Sequence, residues 1–236
     1  MAGIYYFIMV PMVYISIAVM VVGIAVKAAS ILAAPAPAYS LKTYPARKRP
    51  GLAALADTFG MGMIRRRNPV FWFFLVWFHM GMAYVLLGHL DLFPAIHLVP
   101  AASRHMVGAG AVGVSVTVPA FYFLFRRFKG QNRHISLPAD YLLLLLLLFT
   151  FLLGDMMSWG NSWTAHGFVM TKAAFRSYFG ILSGFTFIDP RTVLHGSHYH
   201  FVVLHVFLAE LFLMILPFSK IVHTFFSLPL NLLRRR

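Results

Sequence analysis

Pro69-Val70-Phe71-Trp72-Phe73-Phe74-Leu75-Val76-Trp77-Phe78-His79-Met80-Gly81-Met82-Ala83-Tyr84-Val85-Leu86-Leu87-Gly88-His89-Leu90-Asp91-Leu92 is an apolar run with one formal charge, Asp91, at its far end. A hydrocarbon core of about 30 Å needs ~20 such residues as a helix. The run is therefore long enough to cross a bilayer, and it carries two histidines inside. Polar groups at that depth are costly and serve a purpose by default. The rest of the chain agrees with lipid as its main solvent. Of 236 residues 60% are hydrophobic and 11% charged, against about 25% charged in soluble domains.

Four further spans flank this one. The pattern predicts an all-α integral membrane protein, a bundle of five transmembrane helices at about 4–32, 69–92, 101–125, 137–159 and 199–226, forming a single membrane domain over 1–236. Ala33-Ala34-Pro35-Ala36-Pro37-Ala38 looks like a cleavage site, but the stretch before it lacks a positive start and is too long, so an uncleaved helix is expected. The leucine run Leu142 to Leu148 reads as lipid-facing bulk. Lys and Arg are distributed unevenly: with Lys27, 16 fall on one side of the five spans and 4 on the other. By the positive-inside rule the N-terminus lies outside and the C-terminus in the cytoplasm. The net charge of +14 thus sets topology and does not mark a nucleic-acid binder. There is no cysteine, which excludes disulfides, cysteine-ligated iron–sulfur clusters and haem attached through CxxCH.

His79 and His89 lie ten residues apart, about 15 Å along a helix. His205 and His223 in the fifth span lie eighteen apart, five whole turns at 3.6 residues per turn, so an unbroken helix would present both from one face. The second and fifth spans run in opposite directions. His89 and His205 then share the outer level, and His79 and His223 the inner one. Two imidazoles at each level are what a bis-histidine haem requires above and below its iron. The two axial separations, about 15 and about 27 Å, do not match, so tilt or a His223 near the membrane edge must absorb the difference. Gly81 and Gly88 are the small neighbours a porphyrin face needs. Two b haems, held by His79, His89, His205 and His223 as metal ligands, are the expected cofactors.

Phe78-His79-Met80-Gly81 with Gly88-His89, and Leu204-His205 followed by Leu216-Pro217-Phe218-Ser219-Lys220-Ile221-Val222-His223, resemble the gamma subunit of membrane-bound respiratory nitrate reductase. Ala139-Asp140-Tyr141-Leu142 and the arginines after the third span also fit, and the likeness runs from about Val70 to Arg236. It implies the same pairing, His89 with His205 outside and His79 with His223 inside. Leu41-Lys42-Thr43-Tyr44-Pro45-Ala46, then Arg67-Asn68-Pro69 with Phe71-Trp72, is similar to cytochrome b subunits of sulfur-metabolism complexes, of the sulfite-reductase-associated and high-molecular-weight cytochrome c types. The resemblance implies an electron-transfer and quinol-oxidising subunit of a cytoplasmic-membrane oxidoreductase, not a complete enzyme alone. Electrons would pass between menaquinol, or a periplasmic multihaem cytochrome c, and a cytoplasmic iron–sulfur subunit, beside another membrane subunit and lipid.

The remaining polar residues read less sharply. Relatives use a lysine between the second and third spans for quinone; here the segment is Ala102-Ser103-Arg104-His105-Met106, leaving Arg104 and His105 as candidates or as interfacial anchors. Arg126 and Arg127 suit haem propionates, since guanidinium binds carboxylates bidentately, or simply anchor the loop. His97, His195, His198 and His200 belong to the outer side, His134 and His166 to loops. Glu210 is a deep acid in the fifth span, either bonded to a neighbouring helix or relaying protons; Asp155 is expected near hydrated interface. The competing classes are a haem-free anchor and a proton-conducting bundle, and with two haems the direction could equally be menaquinone reduction.

Overall fold

The computed structural model describes residues 2–35, 48–98, 111–163, 171–196 and 198–235. Among them the regular elements are all helical, and five helices are long and apolar enough to cross a membrane: Gly3–Leu32, Pro69–Leu90, Ala111–Phe128, Pro138–Trp159 and Tyr199–Phe218. These are the five expected spans. Residues 101–110, the expected start of the third, lie outside the described residues, as does the motif 41–46. Five shorter helices join them: Pro50–Gly60, Gly62–Arg67, Gly130–Ile135, Lys172–Ser183 and His223–Arg235.

The expected extent of the fifth span is corrected. The fifth helix does not run unbroken to residue 226. It ends at Ile215 and gives way to two short 3₁₀ turns, Leu216–Phe218 and Lys220–Val222, with Ser219 extended between them. Pro217 has no N–H to continue the ladder, and the Ser219 hydroxyl accepts from Ile221 N instead (3.1 Å). His223 is the first residue of a separate helix, so the five-turn spacing from His205 does not apply.

The chain forms two compact units. The first joins Met1–Ile17 to Leu75–Phe212. Its core gathers Met9, Val10, Leu92, Phe175, Tyr178, Leu194, Tyr199, Val202 and Val203. Pro11 lies in a π-helical turn, Ile8–Met12, and Tyr178 donates its hydroxyl to the Met9 carbonyl (2.6 Å). Burial holds that phenol well above its ordinary range, so it remains a neutral donor. The third and fourth spans pack through small residues, as helices in lipid do. A methyl group on Gly113 would fall on the Asp155 carboxylate, which accepts from Thr117 Oγ1 (2.7 Å). Asp155 is therefore buried between helices, not hydrated at an interface. Gly81 serves the same end: a Cβ there would meet Val116 Cγ1 at 2.9 Å, so its smallness admits the third span and not a porphyrin. The leucine run is not all lipid-facing either, since Leu146, Leu147 and Leu148 are buried.

Two charged locks close this unit's loops. Arg127 pairs with Asp140 (3.3 Å) and donates to Ser136 Oγ (3.1 Å), while Tyr141 donates to the Arg127 carbonyl (2.8 Å). Asp91, 1% exposed, pairs with Lys172 and accepts from Leu98 N (2.8 Å). Arg176 donates to the carbonyls of Asp91 (2.6 Å), Pro94 (3.0 Å) and Ile96 (3.2 Å) and to His97 Nδ1 (3.1 Å).

The second unit joins Ala18–Phe74 to Leu213–Arg236. Asn68 caps the second span by accepting from Phe71 N (2.9 Å), with Pro69 at the first helical position, where a missing N–H costs nothing. Trp72 Nε1 donates to the Gly60 carbonyl (3.0 Å) and Asn231 Nδ2 to Thr58 Oγ1 (2.9 Å). A Cβ on Gly23 would lie 2.6 Å from Pro217 Cβ.

Removing one partner from a buried ion pair leaves the other charge uncompensated, at a cost of about 3–5 kcal/mol, whereas replacing both with apolar groups is close to neutral. Lys172→Met is expected to lower the thermal midpoint of the detergent-purified chain, and Asp91→Leu in the same background to recover more than half of that loss. A double variant no more stable than the single one would contradict this account.

Candidate haem site

The four histidines singled out by spacing share one local arrangement. Nδ1 of His79 lies 2.7 Å from the Leu75 carbonyl, Nδ1 of His89 2.8 Å from that of Val85, and Nδ1 of His223 2.8 Å from that of Lys220. Nδ1 of His205 lies 2.9 Å from the Thr150 carbonyl on the fourth span. A carbonyl can only accept, so each Nδ1 carries the proton and each Nε2 keeps its lone pair. That is the tautomer a metal-ligating histidine needs, fixed by the hydrogen bond its other nitrogen makes. His97 differs. Its Nδ1 faces Arg176, which can only donate, so there Nδ1 holds the lone pair.

In the first unit two of the four come together. The rings of His89 and His205 have centroids 6.4 Å apart and planes 17° from parallel. Two metal–imidazole bonds of about 2.0–2.1 Å, with about 1.1 Å from each Nε2 to its ring centre, would span about 6.3 Å. His89 and His205 would therefore suit the two protein positions of a haem iron. Their separation is too wide for direct hydrogen bonding between the rings. Among the described residues no group of three or more His, Cys, Asp or Glu could hold a metal ion. A bis-histidine haem needs only two, because the porphyrin brings the rest.

The fourth span prepares His205. Thr150 supplies the carbonyl, and a Cβ on Gly154, one turn on, would stand 3.3 Å from His205 Cε1 and 3.7 Å from Nδ1. Sequence reasoning assigned this span no chemistry. The signal it offered was a polar and a small residue, Thr150 and Gly154, at i and i+4 inside an apolar helix.

His79 belongs to the first unit and His223 to the second. Arg104, His105 and His166 lie outside the described residues. Arg127 is committed to Asp140 and Ser136. Arg126 lies in the last turn of the third span's helix. The rings of His198 and His200 lie tilted against that of Phe201, with centroids 6.1 and 4.2 Å away. Glu210, 2% exposed, has no hydrogen-bond partner on either carboxylate oxygen among the described residues, so of its alternative readings the bond to a neighbouring helix is not found among them. At i+5 it projects about 140° around the helix from His205. The residues sequence reasoning missed are Asp91, Lys172 and Arg176, whose contacts with one another and with the turn after the second span reach across 79 to 85 residues of chain.

Comparison with known proteins agrees in kind with the site. Residues 64–236 match the family described as nitrate reductase gamma subunit. That family is of cytochrome b-type membrane subunits of a multisubunit respiratory reductase. The comparison with curated proteins finds no match.

Proposed function

The chain belongs to the nitrate reductase gamma subunit family, and on that premise we propose that it is a di-haem b subunit carrying electrons across the cytoplasmic membrane. The observation that carries this reading is the facing pair of His89 and His205, with each Nδ1 held by a backbone carbonyl and the rings a metal's width apart. Bound haem would supply one-electron exchange at its iron. The chain's own part is to present two Nε2 lone pairs at one level, fix both tautomers, and exclude water with apolar helices. His79 and His223 are proposed to hold a second haem, a reading that rests on the opposite directions of the second and fifth spans.

The orientation rests on the basic loops, with the His89/His205 level outside and the C-terminus in the cytoplasm. The proposed donor is menaquinol, or a periplasmic multihaem cytochrome c, and the proposed acceptor an iron–sulfur subunit docked on the cytoplasmic basic loops. Another membrane subunit completes the complex. The likeness of residues 41–46 and 67–72 to sulfur-metabolism cytochromes points to that branch. A haem-free anchor and a proton-conducting bundle are the competing readings, and a haem spectrum separates them from this one.

The test is a reduced-minus-oxidised spectrum with haem quantification on the purified complex. Wild type is expected to hold two b haems per chain. His89→Ala and His205→Ala should each lose the same one, and His79→Ala and His223→Ala the other. Intact protein without haem would overturn the reading. Gly154→Val should act on the first haem alone. Its added side chain pushes the His205 ring from the Thr150 carbonyl, and the expected result is at least a halving of that haem's occupancy with the other unchanged.

A further inference from the structure

We propose that residues 172–191, read from the sequence as part of an aqueous loop, form a re-entrant hairpin that dips into the same leaflet as the start of the fifth span and presents Phe185, Phe187 and Ile188 to lipid acyl chains. The first unit supplies a depth scale, because the hairpin is bonded along the first span at successive levels. On its descending arm, helix Lys172–Ser183, Tyr178 donates to the Met9 carbonyl. Further down, Tyr14 donates to the Leu182 carbonyl (2.8 Å) and its ring stacks on Phe185 at 5.2 Å. The ascending arm then returns. Tyr6 donates to the Phe187 carbonyl (3.0 Å), and Arg191 lies over the rings of Tyr5 (5.6 Å) and Tyr199 (5.3 Å). Tyr14 is nine residues beyond Tyr5, roughly 13 Å further along the helix at 1.5 Å per residue. The tip therefore lies well below the level at which Tyr5, Tyr199 and Arg191 meet.

Charge and backbone chemistry agree with that placement. The cations of the segment stand at its two ends, Lys172 and Arg176 on the residues after the second span and Arg191 on the tyrosines. The turn between them, Gly184-Phe185-Thr186-Phe187-Ile188, carries no charge. Non-helical backbone survives at membrane depth only where the protein satisfies its polar groups. Here Gly184 N donates to the Gly180 carbonyl (2.9 Å), Phe185 N to that of Leu182 (3.2 Å) and Thr186 N to that of Ile181 (3.3 Å). Tyr6 and Tyr14 spend their hydroxyls on two carbonyls of the same segment. Phe185 and Phe187 both take left-handed φ, 52° and 53°, a strained choice for bulky residues. The turn nonetheless leaves Phe185, Phe187 and Ile188 67%, 53% and 47% exposed. In water that would be an aromatic patch turned outward at a conformational cost; against acyl chains it is a matched surface.

The absence of cysteine in the chain makes the test direct. Phe185→Cys, Phe187→Cys and the milder Ile188→Cys are spin-labelled in the purified full-length chain, reconstituted in lipid nanodiscs, after gel filtration shows each monodisperse. Collision with oxygen, which concentrates in acyl chains, is compared with collision with a water-soluble nickel complex. Leu86→Cys on the exposed face of the second span is the lipid standard, and Lys129→Cys in a basic loop is the aqueous one. Labels at all three hairpin sites are expected to match Leu86. Nickel collision at the Lys129 level would return the segment to water. Shielding from both reagents would mean that protein covers it. Either result overturns the proposal.

Discussion

Every buried N–H in this chain must find an acceptor inside the protein, because hydrocarbon offers none. The constraint is met first by the helices, and what the helices leave over determines the rest. The imidazole is the instructive case. A neutral histidine in a span has one N–H to place, and at His79, His89 and His205 a backbone carbonyl takes it. Satisfying that donor leaves the other nitrogen as a base with its lone pair defined. The chemistry of a metal ligand therefore comes from the same requirement that keeps the helix intact.

Where the ladder is interrupted, side chains complete it. Pro11 sits in a π-helical turn and Tyr178 bonds the Met9 carbonyl beside it. Pro217 ends the fifth helix and the Ser219 hydroxyl starts the next turn. Residues 91–98 after the second span run through turns, and Arg176 gathers three of their carbonyls. Each of these side chains, two as donors and Ser219 as an acceptor, belongs to a residue type that composition would file under surface or loop. Their placement is a consequence of backbone that has nowhere else to bond.

Much of the architecture was legible in the sequence because it depends on sums over many residues. Five apolar runs of sufficient length gave five helices, and the Asn68-Pro69 pair marked where one of them starts. The closeness of the His89 and His205 rings was legible because opposite chain directions bring equal depths together. What escaped depended on single contacts between distant residues. Asp155 looked close to water, and only its fit against Gly113 and Thr117 shows it buried. The His205–His223 spacing looked like one helical face because a periodicity argument assumes an unbroken helix, and Pro217 breaks it. Gly81 was credited to the wrong neighbour, since a small residue signals close approach without naming what approaches.

The hold on His205 has a consequence for how this protein can change over time. The partner of its Nδ1 is a main-chain oxygen at Thr150, and any amino acid brings one. The position can therefore drift freely in identity while its service to the imidazole persists. Its placement is another matter. Adding or deleting one residue between the start of the fourth helix and residue 150 turns the remainder of that helix by about 100°, carrying the oxygen off and swinging another side chain into the room Gly154 leaves. The leucine run before it is thus a spacer of fixed length, tolerant of what it is spelled with and intolerant of how many letters it has.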